Sequence, residues 1–375
     1  MRGLAVFVVL IAALAGLAIA SGCSTAHMEA GLVLGDLAAG PGPSTLKRVT
    51  ARPDRQTVTW TIDGRRNTGN IYLPAEKAKA GLVLVPGAAK EGKDDPRLVA
   101  LAQTLARARF LVLVPEIPHM RAQEVSGADR QPIADAVRYL DTERRVPGTG
   151  IAAISYAAVP AILAALDEPK VDFVITVGGL YDLTAVVTFF TTGHYREMPG
   201  QPWRTAQPNA YGKWVFIKAN ARRLDDSGDR ALLSAIAERK MASLDAPIDD
   251  LTGRLGPQGR SVMALLDNTE PDREPALLAA QPAPIKAEIA GMDLATRDLS
   301  ALKARLFLVH GRDDRIIPWT ESAALARMAP HAELTLLDNL AHADLKPGNA
   351  GDTYALWLVV AHLLAERDGL PEHRS

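Results

Sequence analysis

The chain has 375 residues, 48% of them hydrophobic, and a formal charge of −1. That is an ordinary globular composition with room for a large core, in one big domain or two. No basic block stands out, which argues against a nucleic-acid partner, and a single cysteine excludes a disulfide within one molecule.

The first segment, "MRGLAVFVVLIAALAGLAIASGC", places Arg2 before an unbroken apolar stretch and then small residues. This is the pattern of a secretory signal, residues 1–22. Cys23 follows Ala20-Ser21-Gly22 and resembles a bacterial lipobox, with Ala20 where leucine is usual. The resemblance implies that the thiol is diacylated, palmitate being the typical chain. The mature protein would then start at Cys23 and be exported and held to a membrane by acyl chains alone. Ser24 resembles the outer-membrane sorting position of Gram-negative lipoproteins. A plain cleavable signal or a transmembrane anchor would fit the same apolar stretch. Residues 23–50, with "AAGPGPST", read as a flexible tether, small and Gly/Pro-rich.

The folded part follows from about residue 51. "QTVTWTIDG" and "NTGNIYLP" alternate apolar and polar residues around Asp63-Gly64, as a hairpin does. "GLVLVPG" (81–87) is a short continuous apolar run, typical of a strand buried on both faces. A helix is predicted next, with Leu98, Leu101 and Leu105 at helical spacing, Pro96 in its first turn and Asp94 or Asp95 as cap. "FLVLVPE" (110–116) is a strand and "IADAVRYLDTE" a helix. "GTGIAAIS" (148–155) is a strand, "YAAVPAILAALDE" a helix and "VDFVITVGG" (171–179) a strand. Late in the chain "ARLFLVHG" (304–311) and "ELTLLDN" (333–339) read as strands, and "DTYALWLVVAHLLAER" as a closing helix. The alternation predicts a parallel sheet with helices on both faces. It divides the chain into a core of 51–179 and 304–375, interrupted by an insertion over 180–303 that is too long for a crossover. The insertion carries Tyr181, Phe189, Phe190, Tyr195, Trp203, Tyr211, Trp214 and Phe216. It reads as a cap at the carboxyl edge of the sheet, its aromatics lining a cavity.

Ser155 stands at a strand-to-helix junction, in Ala153-Ile154-Ser155-Tyr156-Ala157. A sharp turn there lifts a side chain out of the sheet and crowds positions two before and two after it. Ala153 and Ala157 meet the need for small residues, as in Gly-x-Ser-x-Gly. The base candidate is His342 in "LDNLAHAD", in a loop just past the last predicted strand. The other histidines lie in the tether (His27), the tail (His373), a strand (His310), the closing helix (His362) or lack this pattern (His119, His194, His331). The acid candidate is Asp314 in "LFLVHGRDDRIIPW", which would orient the imidazole and stabilise its protonated form. Asp182 in "VGGLYDL" is the alternative acid. Two N–H groups could form an oxyanion hole, that of Tyr156 at the helix start and that of Ala88 after the first buried strand, where Gly87 lets the backbone bend.

Ser155, Asp314 and His342, in that chain order and each after a strand, resemble the α/β-hydrolase superfamily over about residues 56–368, on "AISYA", "HGRDDRIIP", "NLAH" and "VPGAAK". The resemblance is nearest to the dienelactone-hydrolase and esterase-like branches. It implies an α/β-hydrolase fold, a mostly parallel eight-stranded sheet, with serine acyl-transfer chemistry. The expected substrate is a small-molecule ester, with no cofactor. Ala replaces both elbow glycines, "VPG" a common His-Gly, and "NLAH" a Gly-x-x-His. Two other readings compete. One is a lipoprotein of this fold that only binds an apolar ligand. The other is a nucleotide binder, because "GAAKEGKD" (87–94) fits Gly-x4-Gly-Lys; Asp94 stands there where a Ser or Thr should bind magnesium. No spaced His, Cys or carboxylate cluster suggests a metal site.

Overall fold

The computed structural model describes residues 25–88, 90–341, 344–345 and 349–369. The signal segment 1–22, Cys23 and His342 lie outside the described residues. No described helix is long and apolar enough to cross a membrane.

Eight strands form one sheet: β1 (Asp54–Ile62), β2 (Arg65–Leu73), β3 (Ala80–Leu84), β4 (Phe110–Pro115), β5 (Thr149–Ile154), β6 (Val171–Val177), β7 (Arg305–Gly311) and β8 (Ala332–Leu337). Their order is β1-β2-β4-β3-β5-β6-β7-β8. The hairpin strand β1 pairs antiparallel with β2, and β2 antiparallel with β4; every other pairing in the sheet is parallel. Both central strands β3 and β4 are buried along their whole length, which is why they read as unbroken apolar runs rather than alternating ones. The chain steps from β3 out to β4, then back past β3 to β5 and onward in the other direction. That reversal leaves a crevice between β3 and β5 at the carboxyl rim, where parallel sheets of this kind bind ligands.

Helices cover both faces. They are α1 (Thr25–Ala39), α2 (Pro96–Arg107), α3 (Arg130–Thr142), α4 (Ala158–Asp167), α5 (Leu183–Thr192), α6 (Tyr211–Asn220), α7 (Ser227–Ala242), α8 (Pro257–Leu266), α9 (Ala283–Gly291), α10 (Thr320–Met328) and α11 (Ala350–Asp368). One face packs α1, α2 and α11 against Leu82, Leu84, Val112 and Phe307. On the other, α3, α4 and α10 pack against Val83, Leu113, Ile151, Val174 and Leu308. Between β6 and β7 the chain leaves the sheet and runs through α5 to α9, with one short strand pair, His194–Tyr195 with Arg204–Thr205.

The expectation of a flexible tether over 23–50 does not hold for its described part. Helix α1 buries Ala26, Ala30 and Val33, a stripe at i, i+4 and i+7, against α11. Arg367 of α11, its side chain wholly buried, forks onto the Glu29 carboxylate at 2.6 and 2.8 Å and donates to the Ala108 carbonyl at 2.6 Å. Trp357 Nε1 donates to the His27 carbonyl at 2.8 Å. Asp36, 1% exposed, accepts from Ser44 and from Thr104 Oγ1, and Lys47 lies 3.1 Å away. A buried charge so fully satisfied belongs to a fixed packing, not to a linker.

Candidate active site

Ser155 follows β5 directly and opens a single 3-10 turn that leads into α4. Its φ is +60°, the left-handed region that L side chains other than Asn and Asp seldom enter. Such a backbone turns the chain sharply from strand to helix and holds the side chain above the rim of the sheet. The residues around it must be small, and Ala153, Ala157 and Ala158 are all buried.

Ser155 lines a cavity of about 970 Å³. Gly87 and Ala88, from the loop after β3, line it too, as does Tyr156. The neighbouring strands β3 and β5 thus bring both candidate oxyanion donors to the serine's side of the crevice. Burial, with the Asp314 charge adding to it, pushes the Tyr156 phenol well above its ordinary range, so it stays neutral at physiological pH. The inserted segment supplies Asn209, Tyr211 and Val215 to the wall. The Asn209 N–H donates to the Arg315 carbonyl at 2.7 Å, which ties that wall to the loop after β7. Leu37 of α1 and Leu98 and Leu101 of α2 continue the cavity on an apolar side.

Asp314 sits in the loop after β7 and is 5% exposed. Its Oδ1 accepts the N–H groups of Ile316 and Ile317 at 2.8 and 3.0 Å, which fixes the carboxylate plane. Beneath it lies His310, wholly buried in β7, with Nε2 3.4 Å from Asp314 Oδ2. The His310 Nε2–H donates to the Ile317 carbonyl at 3.0 Å, and Ser322 Oγ lies 2.7 Å from Nδ1. His310, which its place in a strand had set aside, is therefore a support under the acid loop. The sequence signal for it was only the proximity of His310 and Asp314 across the strand end.

Asp182 has a different place. It N-caps α5, accepting the Ala185 N–H at 3.1 Å, and lines a second cavity of about 490 Å³ rather than the one holding Ser155. His342 lies outside the described residues, but Leu340 and Ala341 pair with Leu345 and Asp344, and Ala341 lines the Ser155 cavity. A Cβ at Gly311 would fall 1.7 Å from the Leu340 carbonyl oxygen, so β7 and this loop touch backbone to backbone.

One expectation needs correction, and one competing reading that the sequence already disfavoured loses further support. The aromatics of the insertion do not collect in one pocket. Phe189, Phe190, Trp214 and Phe216 are buried in the core, Tyr211 lines the Ser155 cavity, and Tyr181, Tyr195 and Trp203 line the second one. Clustering in sequence does not distinguish a packed aromatic from one facing a void. The Gly-x4-Gly-Lys stretch does not form a phosphate cradle. Lys93 Nζ is 2.7 Å from Asp94 and 3.7 Å from Glu116. Asp95 accepts the Arg97 N–H at 2.8 Å and so occupies the α2 N-terminus that a phosphate would need.

Glu321, 4% exposed, holds the loop after β6 onto α10 by accepting the N–H groups of Tyr181 and Asp182 at 3.1 and 2.7 Å. Burial, aided by the Asp182 and Asp293 charges, pushes its carboxyl up to about 8. The folded state therefore keeps a proton on Glu321 that an unfolded glutamate releases near pH 4 to 5. Its contribution is full below the unfolded value and is lost as pH rises toward about 8. Glu321→Gln, which keeps an acceptor oxygen for both N–H groups, is expected to flatten that loss, worth on the order of a few kcal/mol. Urea midpoints at pH 5, 7 and 9 check this; an unchanged slope in the variant would discount the buried proton.

No family model matches the chain, and no curated protein does. Among solved structures it is similar to a candidate hydrolase from Legionella pneumophila, with a TM-score of 0.56 at 13% identity, over 91% of this chain and 94% of that one. Weaker likenesses, on which nothing is built, are to a 2,6-dihydroxy-pseudo-oxynicotine hydrolase (TM-score 0.49, 13% identity, 84% of this chain and 69% of that one) and to Est1E from Butyrivibrio proteoclasticus (0.44, 13%, 84% and 99%). With its mostly parallel eight-stranded sheet, helices on both faces and strained strand-to-helix turn after β5, the chain has the α/β-hydrolase fold.

Proposed function

We propose that the protein is a serine hydrolase that cleaves ester-type acyl bonds. The observation that carries this reading is the φ of +60° at Ser155, a strained turn that holds a hydroxyl in the wall of a large cavity beside Ala88. His342 takes the Ser155 proton as the oxygen attacks the acyl carbonyl; Asp314 orients the imidazole and balances its charge. The N–H groups of Tyr156 and Ala88 receive the oxyanion. The imidazolium gives its proton to the leaving alcohol, and the same histidine then activates the water that frees the acyl group. Support for His342 as base comes from its neighbour Ala341, which lines the same cavity. The apolar side formed by Leu37, Leu98 and Leu101 suits an acyl chain. The reading includes export and acylation at Cys23, which rests on the sequence of residues 1–23.

The experiment is hydrolysis of p-nitrophenyl esters of increasing acyl length, assayed in separated membrane and soluble fractions. A chain-length optimum is expected, with activity in the membrane fraction that moves to the soluble one in Cys23→Ser. Turnover of none of the esters, with no labelling by a fluorophosphonate, would leave a ligand-binding protein of this fold instead.

A further inference from the structure

The second cavity, about 490 Å³, shares no lining residue with the one that holds Ser155. It lies between the loop after β6, the start of α10 and the turn before Glu274. Its wall carries five acidic side chains, the protonated Glu321 among them, against two guanidiniums. Both guanidiniums have partners at the rim: Arg196 stacks 4.3 Å over Trp203, and Arg327 donates to the Glu197 carbonyl at 2.6 Å.

Two buried side chains in this wall each carry an oxygen without a partner. Glu274 and Thr320 are each 2% exposed, and neither Glu274 Oε1 nor Thr320 Oγ1 has a hydrogen-bond partner among the described residues. An unpaired buried acceptor is costly, and a carboxylate the more so. Burial and the Asp182 charge push Glu274 up to about 7, against a side-chain hydrogen bond from Thr188 that lowers it. Tyr181, Tyr195 and Trp203 add aromatic surface. Among the described residues no group of three or more His, Cys, Asp or Glu side chains is spaced to hold a metal ion. An unpaired acceptor oxygen and a hydroxyl beside aromatic surface suit a cation with N–H donors and an apolar body.

We propose that this cavity is a second small-molecule site, and that it binds a primary organic ammonium ion, its N–H groups donating to Glu274 and Thr320 and its carbon chain lying against the aromatic wall. The site is independent of the hydrolytic reading: it would stand if Ser155 proved inert.

The test is calorimetric titration of the intact protein with n-butylammonium, with n-butanol, butyrate, tetramethylammonium and magnesium as comparison probes. Saturable one-to-one binding of butylammonium is expected, weakened about tenfold or more by Glu274→Gln and separately by Thr320→Val, since each removes a charge-assisted or neutral acceptor. Ser155→Ala should bind as the wild type does. Thr320→Val removes only a hydroxyl, so it reads the site even if Glu274→Gln disturbs folding. Absence of saturable binding would overturn the proposal. So would equal binding of butanol or butyrate, tighter binding of magnesium, tetramethylammonium binding as tightly as butylammonium, or affinity unchanged in both wall variants.

Discussion

Ser155→Ala is expected to reduce ester hydrolysis by at least about 10³-fold and to abolish fluorophosphonate labelling, while the fold persists. The rate loss follows from removing the hydroxyl that the turn after β5 holds in the wall of the cavity. A companion variant separates chemistry from strain. Ser155→Gly should be equally inactive yet more stable than wild type by about 1 kcal/mol, because glycine enters the left-handed region without the Cβ clash that serine suffers at φ +60°. Chemical unfolding of the two variants beside their rates reads both effects. Equal hydrolysis by wild type and Ser155→Ala would remove the nucleophile assignment. A Ser155→Gly variant less stable than Ser155→Ala would remove the claim of strain.

Gly311→Ala is the second large effect. The new methyl group would meet the Leu340 carbonyl oxygen at 1.7 Å, and its Cβ contact is with backbone, which no rotamer change can relieve. Either β7 or the segment 340–341 must shift. Ala341 lines the Ser155 cavity and directly precedes His342, so the shift is delivered to the proposed base. A loss of about 2 to 4 kcal/mol in stability is expected, with a fall in kcat of at least about tenfold, since misplacement of a catalytic group by an ångström is enough for that. Gly291→Ala is the control, because a Cβ there meets nothing within 4 Å. A Gly311→Ala enzyme with normal kcat would show that the loop after β8 does not position the base.

The sheet was legible because its strands are short apolar runs separated by helical spacing, and β3, β4 and β7 are buried along almost all their length. The turn at Ser155 was legible because its steric demand is local: two alanines flank it at the required distance. Helix α1 was not. Its buried face is made of Ala26, Ala30 and Val33, small side chains that give a faint periodicity, and two of its partners, Trp357 and Arg367, lie more than 300 residues away in α11. Nor could the sequence assign the aromatics of the insertion, since Phe189 in the core and Tyr195 at a cavity differ only in what the rest of the chain places beside them. Asp182 and Asp314 both follow a strand in the same way. Only the coordinates separate the helix cap at Asp182 from Asp314, whose neighbours Asp313, Arg315 and Ile316 line the cavity of Ser155.

The clasp between Glu29 and Arg367 joins the earliest described helix to the last one. During synthesis α1 can meet α2 early, through Asp36 and Thr104, but its contacts with Trp357 and Arg367 wait until α11 leaves the ribosome. Leu37 of that helix forms part of the wall near Ser155, so the docking of α1 bears on the shape of the cavity. A chain cut short before α11 would keep Ser155, Asp314 and His342 and lose the clasp of Arg367 on Glu29.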